Sequence, residues 1–266
     1  VFDSNTLYDT FVQLIMTARE HIYFEHQYPF QNGALTYYMC EALRRNPNLK
    51  IIVVTPVKTD LPSGIVGDLV SWSQDHISQH LQCIYSTAPH RVVVVGLVQQ
   101  DQERRSLKPI YVHSKLAVVD NAFVEIGSAN MDNMSFFYSS ELSVRIDDPE
   151  IACDLQHRLF QEHLGAFFRK PMATNFPLAF STFQRVASWN ATCLENRQPL
   201  VGRPVWLVPA DRYELVTGAV ASQSTASWAL HKVGLTRDDI LDNVARLVRR
   251  NRISNRLVRA VVRSKL

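Results

Sequence analysis

The stretch YVHSKLAVVDNAFVEIGSAN, from Tyr111 to Asn130, contains the residues on which the fold and the chemistry of this chain depend. Side chains alternate between the two faces of a β-strand, so we expect His113 and Lys115 to share one face. A histidine exchanges protons near neutral pH, and the lysine beside it adds a fixed positive charge. The pair is therefore suited to attack on an anion such as a phosphate.

Apolar runs and amphipathic segments alternate along the first 170 residues. Strands are predicted at residues 21–25, 50–56, 91–98, 122–127 and 139–146. Helices are predicted to begin at Asn5 or Thr6 and to cover residues 34–45, 64–81, 149–164 and 180–195. Residues 99–109 are expected to form a polar loop. The alternation predicts an α/β fold, a mixed β-sheet flanked by helices on both faces.

The pattern changes after about residue 170, where a segment rich in proline and tryptophan begins. We therefore divide the chain into an α/β part, residues 1–170, and an irregular and helical extension, residues 171–266. The extension ends in a predicted basic amphipathic helix, whose arginines are Arg246, Arg249, Arg250, Arg252, Arg256, Arg259 and Arg263. Such a helix can lie on an anionic membrane surface, or it can dock on the protein with its basic face in water.

The composition is that of an ordinary globular protein, with 46% hydrophobic and 20% charged residues. A net charge of +3 does not by itself indicate nucleic-acid binding. No apolar run approaches the roughly 18–20 residues of a membrane span. The cysteines lack metal-ligand spacing, so we expect buried, reduced thiols and no metal site at Cys40, Cys83, Cys153 and Cys193.

Six residues at fixed gaps define the central motif, which reads His113-x-Lys115-x4-Asp120-x6-Gly127-Ser128-x-Asn130. This spacing resembles the HKD motif of the phospholipase D superfamily. The stretch IYFEHQYPF (22–30) is similar to the segment that opens the second half of eukaryotic-type phospholipases D, with His26 in place of an asparagine. The stretch FQEHLG (160–165) is similar to the helix end that follows their second HKD motif.

Cleavage of a phosphodiester needs a nucleophile, a proton for the leaving oxygen, and donors for the non-bridging oxygens. His113 can serve as nucleophile or as acid, and Lys115 supplies positive charge. Ser128 and Asn130 can supply neutral donors, which makes Lys115, Ser128 and Asn130 the predicted phosphate ligands. We assign a structural role to Gly127, because a residue without a Cβ atom lets the backbone come close.

Four further residues complete the candidate site. Asp120 falls on the strand face opposite His113, so we interpret it as structural. The family places an acidic residue on the next strand to orient the histidine ring, and Glu141 stands at that place here. His26 and Gln27 could contact the pocket, although a core or hinge position suits them equally well. Residues 131–138 are interpreted either as core or as an apolar rim for acyl chains.

The resemblance implies a two-step reaction through a phosphohistidine, with no metal or other cofactor. It also implies two HKD motifs, whereas this chain has one. By its order the chain is the C-terminal half, in which His113 would more often be the general acid than the nucleophile. The other half could lie upstream in the same chain, in a second chain, or in a symmetry mate. Because Val1 stands where a start methionine would be, we favour a piece of a longer protein.

The predicted activity is hydrolysis or transphosphatidylation of glycerophospholipids, giving phosphatidic acid and an alcohol. One alternative is a superfamily nuclease acting on nucleic acid, which the modest charge disfavours. The other is a catalytically silent domain that binds membranes or partners. We expect a phospholipid substrate, a peripheral membrane surface as partner, and a cytoplasmic or peripheral membrane location. The terminal Ser264-Lys265-Leu266 matches a peroxisomal address and makes that compartment a further candidate.

Overall fold

The structure is a computed structural model that describes residues 6–57, 77–101, 106–209 and 216. These residues belong to one compact unit, which spans 1–59 and 63–223. Within them, eight strands form one mixed sheet in the order β4-β3-β2-β1-β5-β6-β7, with β8 also paired to β3. The strands are β1 His21–His26, β2 Lys50–Val54, β3 Val92–Asp101, β4 Ser106–Ile110, β5 Lys115–Val119, β6 Phe123–Gly127, β7 Ser143–Ile146 and β8 Pro204–Trp206.

The centre of the sheet changes from parallel to antiparallel pairing between β1 and β5. Strands β1, β2 and β3 are parallel neighbours, and β5 then runs antiparallel to β1. Strands β5, β6 and β7 continue as an antiparallel meander. All residues of β1 are buried, because helices cover both faces of the sheet at this point. The predicted mixed sheet with helices on both faces is confirmed.

The helices lie in two layers. They are α1 Thr6–Thr17, α2 Gly33–Arg45, α3 over residues 77–87, α4 Asn133–Phe137, α5 Pro149–Leu164 and α6 Phe176–Glu195. We call the face covered by α1, α2, α3 and α4 the front face, where Phe11 and Met39 join the core. The face covered by α5 and α6 is the back face, where Phe160 and Phe183 do the same. Among the described residues, no helix is long and apolar enough to cross a membrane.

Asparagine and aspartate side chains define several element boundaries. Asn32 accepts hydrogen bonds from the first amides of α2, and Asp148 does so for α5, which then has Pro149 in its first turn. Helix α5 ends at Gly165, whose φ of 55° favours glycine. The hairpin between β5 and β6 turns at Asp120 and Asn121, both with positive φ, as a tight two-residue turn requires.

Two local predictions were wrong. Most of the expected loop at 99–109 belongs to an antiparallel pair, in which Gln99, Gln100 and Asp101 of β3 face Lys108, Leu107 and Ser106 of β4. Polar residues tolerate this pairing because the pair lies at the edge of the sheet. The strand expected at 139–146 begins only at Ser143, after the turn that follows α4.

The expected burial of the cysteines is only partly met, and other expectations concern residues outside the described part of the chain. Cys40 and Cys193 are buried, but Cys83 is exposed on α3 and Cys153 is partly exposed on α5, so burial does not hold for all four thiols. Of the helix expected at 64–81, residues 64–76 lie outside the described part of the chain, as do the basic tail and its last three residues. The division at residue 170 stays a prediction, although α6 and β8 pack on this sheet.

Candidate active site

The β5–β6 hairpin places the two halves of the motif side by side. Leu116 pairs with Ile126 across the hairpin, so the start of β5 lies beside the end of β6. His113 stands just before β5, in an extended segment rather than in the strand itself. This segment is still tied to the sheet, because the amide of Gln27 donates to the carbonyl of Ser114 at 3.1 Å.

His113 and Lys115 lie together, as their spacing predicts. The Nζ atom of Lys115 is 3.4 Å from Nε2 of His113 and donates to the His113 carbonyl oxygen at 2.9 Å. His113 is exposed, whereas Lys115 is only 8% exposed. The structure therefore presents a reachable imidazole with a buried ammonium group behind it.

Gln27 connects the motif to β1. Its Oε1 atom accepts a 2.6 Å hydrogen bond from Nζ of Lys115, and its Nε2 atom donates to the hydroxyl of Tyr111 at 2.5 Å. The Tyr111 ring lies 6.1 Å from the His113 ring, centroid to centroid. Gln27 was proposed only as a pocket residue, and its contact with Lys115 was not foreseen. The signal was its place within the stretch 22–30, which resembles a family segment.

His26 lies on the front face in the core, directly across from Lys115 in the pairing of β1 with β5. Its ring contacts Phe11 and Phe24, at centroid distances of 5.7 and 6.0 Å. The side chain is fully buried, and neither ring nitrogen has a hydrogen-bond partner among the described residues. Burial, reinforced by the charge of Lys115, lowers the pKa of His26 to about 3, so the ring is neutral at pH 7.

Ser128 and Glu141 contact each other after the end of β6, whereas Asn130 contacts Ser135. The Ser128 hydroxyl donates to the Glu141 carboxylate and accepts from the Leu142 amide at 3.1 Å. The backbone amide of Asn130 donates to Ser135 Oγ at 3.0 Å. The side-chain oxygen of Asn130 is buried with no partner among the described residues. Glu141 precedes β7, and its hydrogen bond goes to Ser128. Its role in orienting His113 stays a prediction.

The two residues assigned to structure have clear local contacts. Asp120 accepts 2.8 Å hydrogen bonds from the amides of Arg19, Glu20 and His21, which ties the hairpin turn to the loop before β1. A Cβ atom on Gly127 would lie 2.5 Å from the carbonyl oxygen of Leu142. The close approach that glycine permits here is therefore that of the neighbouring chain segment before β7.

Sequence reasoning missed a polar cluster on the back face, directly behind the motif. Glu25 is its centre, and it contacts Tyr23, Ser114 and His163. Ser114 lies between His113 and Lys115 in the motif, and Glu25 and His163 lie in the two stretches that resemble family segments. Within the described residues, no group of three or more His, Cys, Asp or Glu side chains could hold a metal ion.

Comparisons with known proteins agree with the motif. A protein-family model described as cardiolipin synthase, phospholipase D-like domain, matches residues 11–163. Phospholipase D zeta 1 of Arabidopsis thaliana is 30% identical over 149 residues, 49% of this chain and 13% of that protein. Cardiolipin synthase A of Buchnera aphidicola is 22% identical over 188 residues, 71% of this chain and 32% of that protein. Nuc, a phospholipase D family member from Salmonella typhimurium, superposes with a TM-score of 0.39 at 17% identity, covering 56% of this chain and 82% of that chain.

The family match covers more than half of the 266 residues and contains both His113 and Lys115. The chain spans less than a third of the length of the two curated relatives named above. Members of the superfamily are enzymes that hydrolyse or transfer phosphodiesters. The resemblance predicted from the motif is therefore confirmed, and the chain belongs to the phospholipase D superfamily.

Proposed function

We propose that this chain is the C-terminal catalytic half of a phospholipase D-type enzyme that acts on glycerophospholipids. The observation that supports this most strongly is the pairing of exposed His113 with buried Lys115, 3.4 Å apart. Lys115 donates to the side-chain oxygen of Gln27 and to the carbonyl oxygen of His113, which fixes its ammonium group beside the exposed imidazole. A phosphate bound at His113 would lie within reach of this positive charge.

The proposed reaction has two steps. A histidine nitrogen attacks phosphorus, the P–O bond to the leaving alcohol breaks, and a second histidine donates the proton that this oxygen takes up. Water or another alcohol then attacks the phosphohistidine, gives its proton to that second histidine, and releases phosphatidic acid or a new phosphatidyl ester. One histidine is His113, in the role of the acid. The other must come from a second HKD half, upstream in the same protein or in a second subunit.

In this mechanism Lys115 binds a non-bridging oxygen of the phosphate, in place of its 3.4 Å contact with His113. Asn130 is assigned to the same oxygens, and Ser128 stands beside it. We propose that Glu141 stabilises the imidazolium form of His113. No metal or other cofactor enters these steps.

Two observations favour a phospholipid over a nucleic acid. The curated relatives that the chain resembles are named as a phospholipase D and a cardiolipin synthase. Large apolar side chains also stand exposed on α4 and just after it, where Met134 is 62% and Tyr138 78% exposed. Met131 and Phe136 are buried, so residues 131–138 contribute both to the core and to an apolar surface that suits acyl chains.

The test compares substrates on the full-length protein that contains this chain. We expect phosphatidic acid to be released from phosphatidylcholine or phosphatidylglycerol vesicles, and this release to be lost in His113→Ala. The matched control, Ser181→Ala, changes an exposed hydroxyl on α6 that bonds only within its own helix. Cleavage of DNA in place of lipid would identify a nuclease. Equal lipid turnover in His113→Ala would refute the site.

A further inference from the structure

The back-face cluster is a set of hydrogen bonds centred on one carboxylate. Oε1 of Glu25 accepts from the Ser114 hydroxyl at 2.6 Å. Oε2 accepts from the Tyr23 hydroxyl at 2.7 Å and lies 3.0 Å from Nε2 of His163. The three elements that meet here are β1, the motif segment and the last turn of α5.

The cluster is buried and charged. Tyr23 is fully buried, His163 is 2% exposed and Glu25 is 9% exposed. Burial alone would raise the pKa of Glu25, but the hydrogen bond and charge of His163, with the hydroxyls of Ser114 and Tyr23, outweigh it and lower this pKa. The carboxylate is therefore ionised at neutral pH, and it fixes the geometry of every group that donates to it.

The order of the groups excludes a second nucleophilic site. In a serine nucleophile the hydroxyl contacts a histidine, which the carboxylate holds from the other side. Here the hydroxyl of Ser114 donates to the carboxylate, and His163 contacts that carboxylate and not the serine. A carboxylate with a lowered pKa is also a poor general base. The cluster is consequently built to hold Ser114.

Ser114 links this cluster to the front face. It lies between His113 and Lys115, in the segment that has left the regular strand. Its hydroxyl is held by Glu25, while its carbonyl oxygen accepts from the Gln27 amide at 3.1 Å. Gln27 in turn accepts from the ammonium group of Lys115. A rotation of Ser114 would therefore move both motif side chains.

We propose that Glu25, supported by Tyr23 and His163, is a positioning residue that sets the orientation of His113 and Lys115 through Ser114. The inference rests on the proposed function for its catalytic consequence, since it concerns the same two side chains. The structural part of the inference is that Glu25 sets the geometry of the motif segment through Ser114. This part does not depend on the identity of the substrate.

The experiment uses Ser114→Ala, which removes one hydroxyl, and Ser114→Thr, which keeps it. In the full-length enzyme with phosphatidylcholine vesicles, Ser114→Ala lowers kcat about ten- to a hundredfold and changes KM less than threefold, because binding groups stay but the reacting atoms are misplaced. Ser114→Thr restores kcat to within threefold of wild type. Glu25→Gln, which keeps the shape but offers one acceptor oxygen to the two hydroxyls of Ser114 and Tyr23, lowers kcat by less than Ser114→Ala does. Ser181→Ala is the control on another serine.

A second readout does not need activity. In the 266-residue chain, the midpoint of the His113 ring titration, followed by NMR, moves in Ser114→Ala and stays at the wild-type value in Ser181→Ala. Wild-type kcat and an unmoved His113 titration in folded Ser114→Ala would overturn the inference. A moved titration in a protein that turns over neither lipid nor DNA would support the positioning role and refute the proposed function instead.

Discussion

The two faces of β1 and of the motif segment carry polar clusters of opposite character. On the back face, both oxygens of the buried Glu25 accept hydrogen bonds. On the front face, His113 is exposed and the buried His26 has no partner for either ring nitrogen among the described residues. One strand, by simple alternation, separates the carboxylate that holds the motif segment from the face that carries His113 and Lys115.

This difference has an energetic meaning. A buried polar group with its partners in place specifies one geometry, whereas an unpaired one costs about 1–3 kcal/mol. Residues that break the rule of satisfied burial concentrate at functional sites. The unpaired His26 therefore costs stability on the front face, while Glu25 on the back face holds the motif segment; the ring nitrogens of His21, on the same back face, also lack partners among the described residues. Substitutions on the two faces measure what each contributes to stability and to activity.

The largest effect on stability is expected for Glu25→Ala. The substitution leaves the hydroxyls of Tyr23 and Ser114 without their acceptor and His163 without one of its hydrogen-bond partners, so we expect a loss of about 3–5 kcal/mol in the free energy of unfolding. Urea denaturation of the chain measures it. Glu162→Gln, at the more exposed ion pair with Arg203, should change stability by less than about 1 kcal/mol. Similar losses in the two variants would show that the back face is not an anchor.

Lys115→Met is expected to reverse this pattern, with a large loss of activity and a small loss of stability. Methionine fills the buried space but leaves the phosphate without its cation, so kcat of the full-length enzyme should fall about 10²–10³-fold. Thermal unfolding and lipid turnover, measured on the same protein, separate the two effects. Lys108→Met, at an exposed position of β4, is the control. Turnover within tenfold of wild type would show that the reaction does not depend on Lys115.

The sequence predicted the front face better than the back face. Fixed gaps between His113, Lys115 and the later motif residues are visible in one dimension, and alternation then assigns their common side. Ser114 donates to Glu25 of β1, 89 residues away, and Glu25 contacts His163 of α5, 138 residues further along the chain than Glu25, so no local pattern connects them. The contact of Gln27 with Lys115 could not be predicted either, because these two residues are also far apart in the chain.

Local chemistry also set the limits of the fold prediction. The apolar runs of β1, β2 and β3 identify buried strands, and the capping residues of α2 and α5 mark helix starts. The polar pair of β3 and β4 was missed because an edge strand needs no apolar face. Strand β7 starts late because the backbone turns after α4, where the Ser139 amide donates to the Met134 carbonyl oxygen, and no pattern in the sequence indicates this turn.

His26 gives the front face a specific dependence on pH. The pKa of His26 is about 3 in the folded protein and about 6.5 in the unfolded protein. As the pH falls below 6.5, the ring therefore becomes protonated in the unfolded state while it stays neutral in the folded state. The stability that this group contributes is complete above pH 6.5 and decreases as pH falls towards 3. At pH 5 the loss is about 2 kcal/mol.

His26→Asn should remove this part of the pH dependence. We expect the difference in unfolding free energy between pH 7.5 and pH 5 to shrink by about 2 kcal/mol in the variant. His90→Asn, at an exposed histidine, should leave the difference unchanged. An unaltered difference in His26→Asn would mean that the ring takes up its proton in the folded state, and the front face would then be less strained than its burial indicates.

The smallest effect is expected for Glu141→Gln, which tests whether Glu141, near the end of β6, contributes to the activity of His113 on the front face. The amide can still accept from the Ser128 hydroxyl, so stability should change by less than about 1 kcal/mol. The negative charge is lost, however, and with it the stabilisation that we propose for the His113 imidazolium, so kcat should fall about tenfold. Turnover and urea denaturation of the full-length variant measure both, with Glu162→Gln again as control. Unchanged turnover would limit Glu141 to holding Ser128, and the polar partner of His113 would have to come from the second half of the site.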